Sequence, residues 1–196
     1  MPARPTLVAV SGPPATGKTT LAHTVARELG CPAVIRDEIK QGLVLSCATH
    51  RTGSDDPLNL PALHAFFDTL GVLLRAGVTV VAEAAYQDRL WRPGLEPLTE
   101  LADLRIIRCT APTPTIIERM TERADSDGHR AAHGDRQFLA DIAAGTYRPD
   151  EFADISLDAP TLRVDTSDGY TPGAAEIAAF VRAGRPGPTG AGTGQE

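Results

Sequence analysis

Apolar residues in this chain alternate between short unbroken runs and longer stretches of helical spacing. Leu7 to Ser11 is an apolar run ending in a Gly/Pro-rich turn, and from Lys18 to Leu29 the apolar positions Leu21, Ala22, Val25, Ala26 and Leu29 recur every three or four residues. The pair predicts a strand, a loop and a helix. Gly30 and Pro32 stop that helix, Ala33 to Ile35 reads as a second strand delivering Arg36 and Asp37 at its C-terminal end, and a helix is expected from Glu38 to Leu45. Ser46 to Leu60 has little periodicity and reads as a long loop, a length that in compact domains is often functional or mobile.

Pro61 opens a helix to Ala76, and Val78 to Ala82 predicts a third strand, buried on both faces, ending at Glu83. A Pro-interrupted helical region from Asp88 to Ala102, a strand from Leu104 to Cys109 and a helix from Pro112 to Arg123 follow. Ala124 to Gly134 is polar and expected to be flexible, and Asp135 to Ala144 a short helix. Thr161 to Val164 predicts a fifth strand ending at Asp165, and Pro172 to Arg182 a last helix. Five strands alternating with helices predict a parallel sheet in a three-layer α/β fold, since right-handed crossovers place helices on both faces. Residues 1–183 are expected to form one domain, and the Gly/Pro/Thr-rich stretch at 184–196 a disordered tail.

Composition narrows the picture. At 196 residues and 42% hydrophobic the chain can bury one core. A net charge of −6 argues against a surface built to hold nucleic acid, although a local basic groove stays open. Cys31, Cys47 and Cys109 are odd in number and widely spaced, so neither a disulfide framework nor a thiolate zinc site is expected. No stretch approaches the roughly 18 apolar residues that span a bilayer, and the N-terminus lacks a leader pattern, so a cytoplasmic protein is expected, as monomer or homodimer.

Chemistry concentrates at Gly12-Pro13-Pro14-Ala15-Thr16-Gly17-Lys18-Thr19, a full G-x-x-x-x-G-K-[ST] match between a predicted strand and a predicted helix. Gly12 and Gly17 allow successive N–H groups to turn inward, and the helix start adds its positive dipole end. Lys18 suits the β- and γ-phosphates of ATP or GTP, and the Thr19 hydroxyl suits Mg²⁺. The Asn-Lys-x-Asp guanine signature of GTP switches is missing, because Asn59 is the one asparagine.

The sequence resembles the small P-loop kinases that include chloramphenicol phosphotransferase, zeta-type toxins and the kinase domain of polynucleotide 5′-kinase. The resembling residues are the run from Val10 through Thr19, Thr20, Leu21 and Ala22, then Arg36-Asp37-Glu38-Ile39-Lys40, Val80-Val81-Ala82-Glu83, and the arginines Arg119, Arg123 and Arg130. The resemblance spans about residues 6–183. It implies the strand order 2-3-1-4-5, a mobile arginine lid and an acceptor site at the strand C-termini.

It also implies roles. Asp37 is expected to take the proton of the attacking hydroxyl, with an N-cap of the following helix as the bland alternative. Arg36 contacts the acceptor or merely covers the surface. Glu83 holds Mg²⁺ or the acceptor, or is a solvated or capping glutamate. Here the family more often has Asp. One of Arg119, Arg123 and Arg130 stacks on the nucleobase and the others close over the transferring phosphoryl group, against a plain charged helix face paired with Glu118 and Glu122. Arg51, His50, Asp55 and Asp56 in the long loop are further candidates for acceptor contact, and a zinc pair at His129 and His133 has no supporting pattern.

The leading functional expectation is transfer of the γ-phosphoryl group to a hydroxyl of a small molecule such as an antibiotic, nucleoside or sugar derivative, with chloramphenicol-type resistance as one version. The alternatives are a polynucleotide 5′-hydroxyl kinase, a zeta-type nucleotide-sugar kinase and, from another class, a nucleotide-dependent switch.

Overall fold

The computed structural model describes residues 4–47, 56–86, 88–126, 135–145, 152 and 154–183, with the side chains of 88, 89, 123–126 and 135–138 left undescribed. The predicted tail, Arg51, Arg130, His50, Asp55, His129 and His133 lie outside these residues.

Five strands, β1 (Thr6–Ser11), β2 (Ala33–Ile35), β3 (Val80–Glu83), β4 (Asp103–Thr110) and β5 (Thr161–Asp165), form one sheet in the order β2-β3-β1-β4-β5, all neighbours parallel. β1 is buried along its whole length, so both faces need apolar side chains. Leu7 and Ala9 point into one core with Val80, Ala82, Leu104 and Ile106. Val8 and Val10 point into the other with Val81, Ile107 and Val164.

Helices close both faces. α3 (Asn59–Arg75) and α4 (Asp88–Leu95) cover the first core with Phe66, Leu70, Leu74, Trp91 and Leu95, while α1 (Lys18–Leu29) and α7 (Ala174–Arg182) cover the second with Leu21, Val25, Ile177 and Val181. α2 (Arg36–Leu45) packs on α3, and α5 (Thr113–Ser126) on α6 (Asp135–Ala143). Ile116 and Met120 of α5 bury Ala15 from the phosphate loop, which places α5 over that loop.

Several boundaries move from the sequence expectation. α2 begins at Arg36 rather than Glu38, because the extended Ile35 already serves as its N-cap and Asp37 and Glu38 favour the positive helix end as first-turn acids. The N-cap reading of Asp37 is therefore replaced by a place inside the first turn. α3 begins before Pro61: the Asp56 carboxylate accepts from Leu58 N at 2.9 Å, and Pro61 falls in the first turn, where a missing N–H costs nothing. The region from Asp88 to Ala102 divides into α4 and a 3-10 turn over Glu96–Glu100. α5 runs to Ser126, past the expected end at Arg123, and α7 starts at Ala174, not Pro172.

Candidate active site

Gly12, Pro13, Pro14, Ala15, Thr16 and Gly17 connect β1 to α1, whose N-terminus is Lys18. Gly12 has φ 142°, and a Cβ there would sit 2.5 Å from the Cys109 carbonyl oxygen, so no other residue fits. Gly17 caps α1 in the left-handed region at φ 71°. The loop is tied internally: the Thr16 hydroxyl and the Lys18 ammonium each donate to Pro13 O at 2.8 Å. The Pro13–Pro14 peptide has no N–H, so turning its carbonyl toward Lys18 removes no donor from the loop.

Thr19 and Glu83 meet although 64 residues separate them. The Thr19 hydroxyl donates to Glu83 Oε2 at 2.9 Å, the one side chain from the first turn of α1 and the other from the end of β3. Glu83 is 3% exposed, and burial pushes its carboxyl above the usual range despite the opposing pull of Lys18, with Asp37 and Glu38 adding repulsion. Lys18, Asp37 and Glu83 thus share one electrostatic neighbourhood at the C-terminal edge of β1, β2 and β3. Thr20 is exposed beside them on α1. A hydroxyl and a carboxylate in contact beside the loop form a donor set that fits Mg²⁺, which takes one or two protein oxygens and keeps its waters.

Asp37 is half-exposed and its carboxylate accepts from Arg36 Nη1 at 2.9 Å. Arg36 Nη2 donates to Asn59 O at 3.3 Å and to Asn59 Oδ1 at 3.0 Å, so the guanidinium bridges the first turns of α2 and α3. Behind it Lys40 and Asp56 form an ion pair at 2.7 Å, with side chains 8% and 0% exposed. The sequence put Asp56 among acceptor contacts, but burial against Lys40 makes it a structural anchor. Glu38 faces His23 on α1 at 2.8 Å.

Arg119 donates to the carbonyls of Thr166 and, at 3.1 Å, Ser167, and reaches within 3.5 Å of Ala15 O. It thereby joins α5 to both the phosphate loop and the turn after β5. Arg123 follows one turn later on α5, its side chain outside the described residues. Thr166, 4% exposed, donates from its hydroxyl to Thr16 O at 2.8 Å across 150 positions. Nothing in local sequence pattern marks Thr166, Asn59 or the Lys40–Asp56 pair, since each matters only through a partner from a distant element.

Two other features lie near the site. Burial pushes the Cys109 thiol up to about 12, so it stays neutral behind Gly12. On the first-core face, a cavity of about 310 Å³ is lined by Ser11, Arg108, Asp154 and Arg163, with Asp154 bridging the two arginines.

A family model described as an AAA domain matches residues 7–146. No curated protein sequence matches the chain. Among solved structures, a protein of Chloroflexus aurantiacus assigned as a kinase superposes with TM-score 0.77 at 25% identity, covering 92% of this chain and 98% of that one. The APS kinase CysC of Mycobacterium tuberculosis, solved with AMPPNP and APS, gives 0.58 at 17% identity, covering 92% and 99%. A gluconokinase of Sinorhizobium meliloti gives 0.54 at 17%, covering 91% and 90%.

Proposed function

Because the chain belongs to the AAA domain family and carries the fold of the small P-loop kinases, we propose that it moves the γ-phosphoryl group of ATP to a hydroxyl of an uncharged small molecule in the cytoplasm, leaving ADP and a phosphate ester. The observation that carries this reading is the contact of Thr19 with Glu83 at 2.9 Å, with Lys18 and Asp37 in the same electrostatic neighbourhood. Phosphoryl transfer is mostly positioning and charge stabilisation, and those four groups are its working parts.

The inward-turned amides of the loop from Gly12 to Thr20 bind the triphosphate, and Lys18 balances charge on its β- and γ-oxygens. Thr19 and Glu83 would hold Mg²⁺, which when bound supplies further neutralisation of the phosphates. Asp37 accepts the proton of the acceptor hydroxyl as its oxygen adds to phosphorus, and Arg36 holds the carboxylate in place from Asn59. Arg119 presents a guanidinium plane for the nucleobase, while Arg123 and Arg130 close on the transferring group and Arg51 on the acceptor.

Among the described residues, the cations beside Asp37 already have carboxylate neighbours: Arg36 has Asp37 itself and Lys40 has Asp56. This favours an uncharged acceptor, an antibiotic or sugar derivative among them, over a polynucleotide end, whose phosphates need unpaired Lys or Arg.

A transfer screen with γ-³²P-labelled ATP and Mg²⁺ against nucleosides, sugars, antibiotics and 5′-hydroxyl oligonucleotides tests class and acceptor together. Labelled ester is expected on an uncharged acceptor, and Asp37→Asn should lower transfer about 10²–10⁴-fold with ATP affinity nearly intact. Unchanged transfer by Asp37→Asn removes the base role, and failure of the wild-type chain to hold ATP removes the whole reading.

A further inference from the structure

The proposed triphosphate cradle works only if its peptide units face the right way, and a planar trans peptide gives a handle on that. Its C=O and N–H point in opposite directions, so fixing the carbonyl fixes the amide. The Thr16–Gly17 peptide is fixed in this manner from outside the loop.

Thr166 follows β5 directly, and its backbone N–H donates to Thr110 O at 2.9 Å, which completes the strand edge. With that acceptor served by the backbone, the single hydroxyl proton of Thr166 is available to Thr16 O, at 2.8 Å against 3.1 Å to Thr110 O. Holding the Thr16 carbonyl toward β5 turns the Gly17 N–H to the other side of the loop, beside the start of α1. Gly17 takes φ 71° there and its N–H precedes that of Lys18, the first helical residue. Arg119 reinforces the arrangement from α5: it holds the carbonyl of Thr166 itself and lies within 3.5 Å of Ala15 O, the next carbonyl back along the loop.

We infer that Thr166 is a positioning residue for nucleotide binding: through Thr16 O it locks the Gly17 amide toward the phosphates, with Arg119 bracing it. The inference rests on reading the loop as a nucleotide cradle and extends it to a residue far away in sequence. Thr166 is 4% exposed and its hydroxyl is directed at backbone carbonyls, so its effect on binding runs through the loop. It lowers the cost of ordering the loop when the triphosphate arrives, because the peptide is already turned.

The test is fluorescence titration of the full chain with N-methylanthraniloyl-ATP and Mg²⁺, well below the melting temperature of each protein. Thr166→Val keeps the shape and removes the donor, and its Kd should rise about fivefold or more, while Thr166→Ser, which keeps the hydroxyl, should bind as wild type. A Thr166→Val Kd less than about fivefold above wild type overturns the inference, as does an equal loss in Thr166→Ser. A purely structural role would lower the melting temperature of Thr166→Val and leave the Kd of the folded protein in place. If Thr166→Val does not melt cooperatively, Thr166→Ala replaces it under the same thresholds. Wild-type protein that binds no nucleotide removes the cradle and the inference with it, whereas wild-type binding beside an unchanged Thr166→Val removes the inference alone.

Discussion

At the scale of single residues, Glu83 sets burial against charge. A carboxylate 3% exposed loses solvation when ionised, and its carboxyl stands above the ordinary value because that loss exceeds the attraction of Lys18. From about pH 4.5 up to the raised folded value, the native state binds more proton than the unfolded chain, so Glu83 lowers stability progressively as pH rises through that window. The same ionised form is the one that can hold a divalent cation. Glu83→Gln, which keeps an acceptor for Thr19, should therefore be at least as stable as wild type in urea at pH 7, yet lose most of the Mg²⁺ dependence of ATP binding. Wild-type Mg²⁺-dependent affinity should strengthen as pH rises through the folded pKa, and the variant should be flat. A Glu83→Gln protein with the wild-type response to Mg²⁺ and pH would take Glu83 out of the metal's surroundings.

At the scale of elements, α2 and α3 carry the residues around Asp37, and a buried ion pair joins them. Lys40 and Asp56 lie 2.7 Å apart with almost no exposure, and the Asp56 carboxylate also accepts from Leu58 N. Replacing one partner leaves a buried charge uncompensated, so Lys40→Met should cost about 3–5 kcal/mol in urea denaturation followed through Trp91, which is 7% exposed. Adding Asp56→Asn should recover most of the loss, since Asn keeps the oxygen that accepts from Leu58 N. A single Lys40→Met within about 1 kcal/mol of wild type would contradict the buried-pair account. This joint also marks how far element reading goes. Apolar periodicity gave the helices on either side, because packing against the sheet imposes it. It misplaced the starts of α2 and α3, because those are set by the extended Ile35 and by the turn in which Asp56 accepts from Leu58 N, neither of which has a period.

At the scale of the whole molecule, the five-stranded parallel sheet was legible because strands covered on both faces must be apolar runs, and the order β2-β3-β1-β4-β5 followed from family resemblance rather than from pattern. Triphosphate binding was legible because the phosphate loop is a contiguous motif, and kinase class came from family resemblance, whereas the clasp from Thr166 and the bridge from Asn59 exist only once distant segments fold together. Global stability then offers a test that needs no knowledge of the acceptor. A ligand bound only by the native state adds about 2.7 kcal/mol at roughly 100 times its Kd. For a chain of 196 residues this corresponds to about 5–10 °C in Tm. ATP with Mg²⁺ should produce that shift, and ATP with EDTA a smaller one. A 5′-hydroxyl oligonucleotide should give none that survives about 200 mM salt, because a net charge of −6 opposes a phosphate backbone and, among the described residues beside Asp37, Arg36 and Lys40 already face carboxylates. A salt-resistant shift with the oligonucleotide would reverse the choice of acceptor and move the site to the end of a polynucleotide.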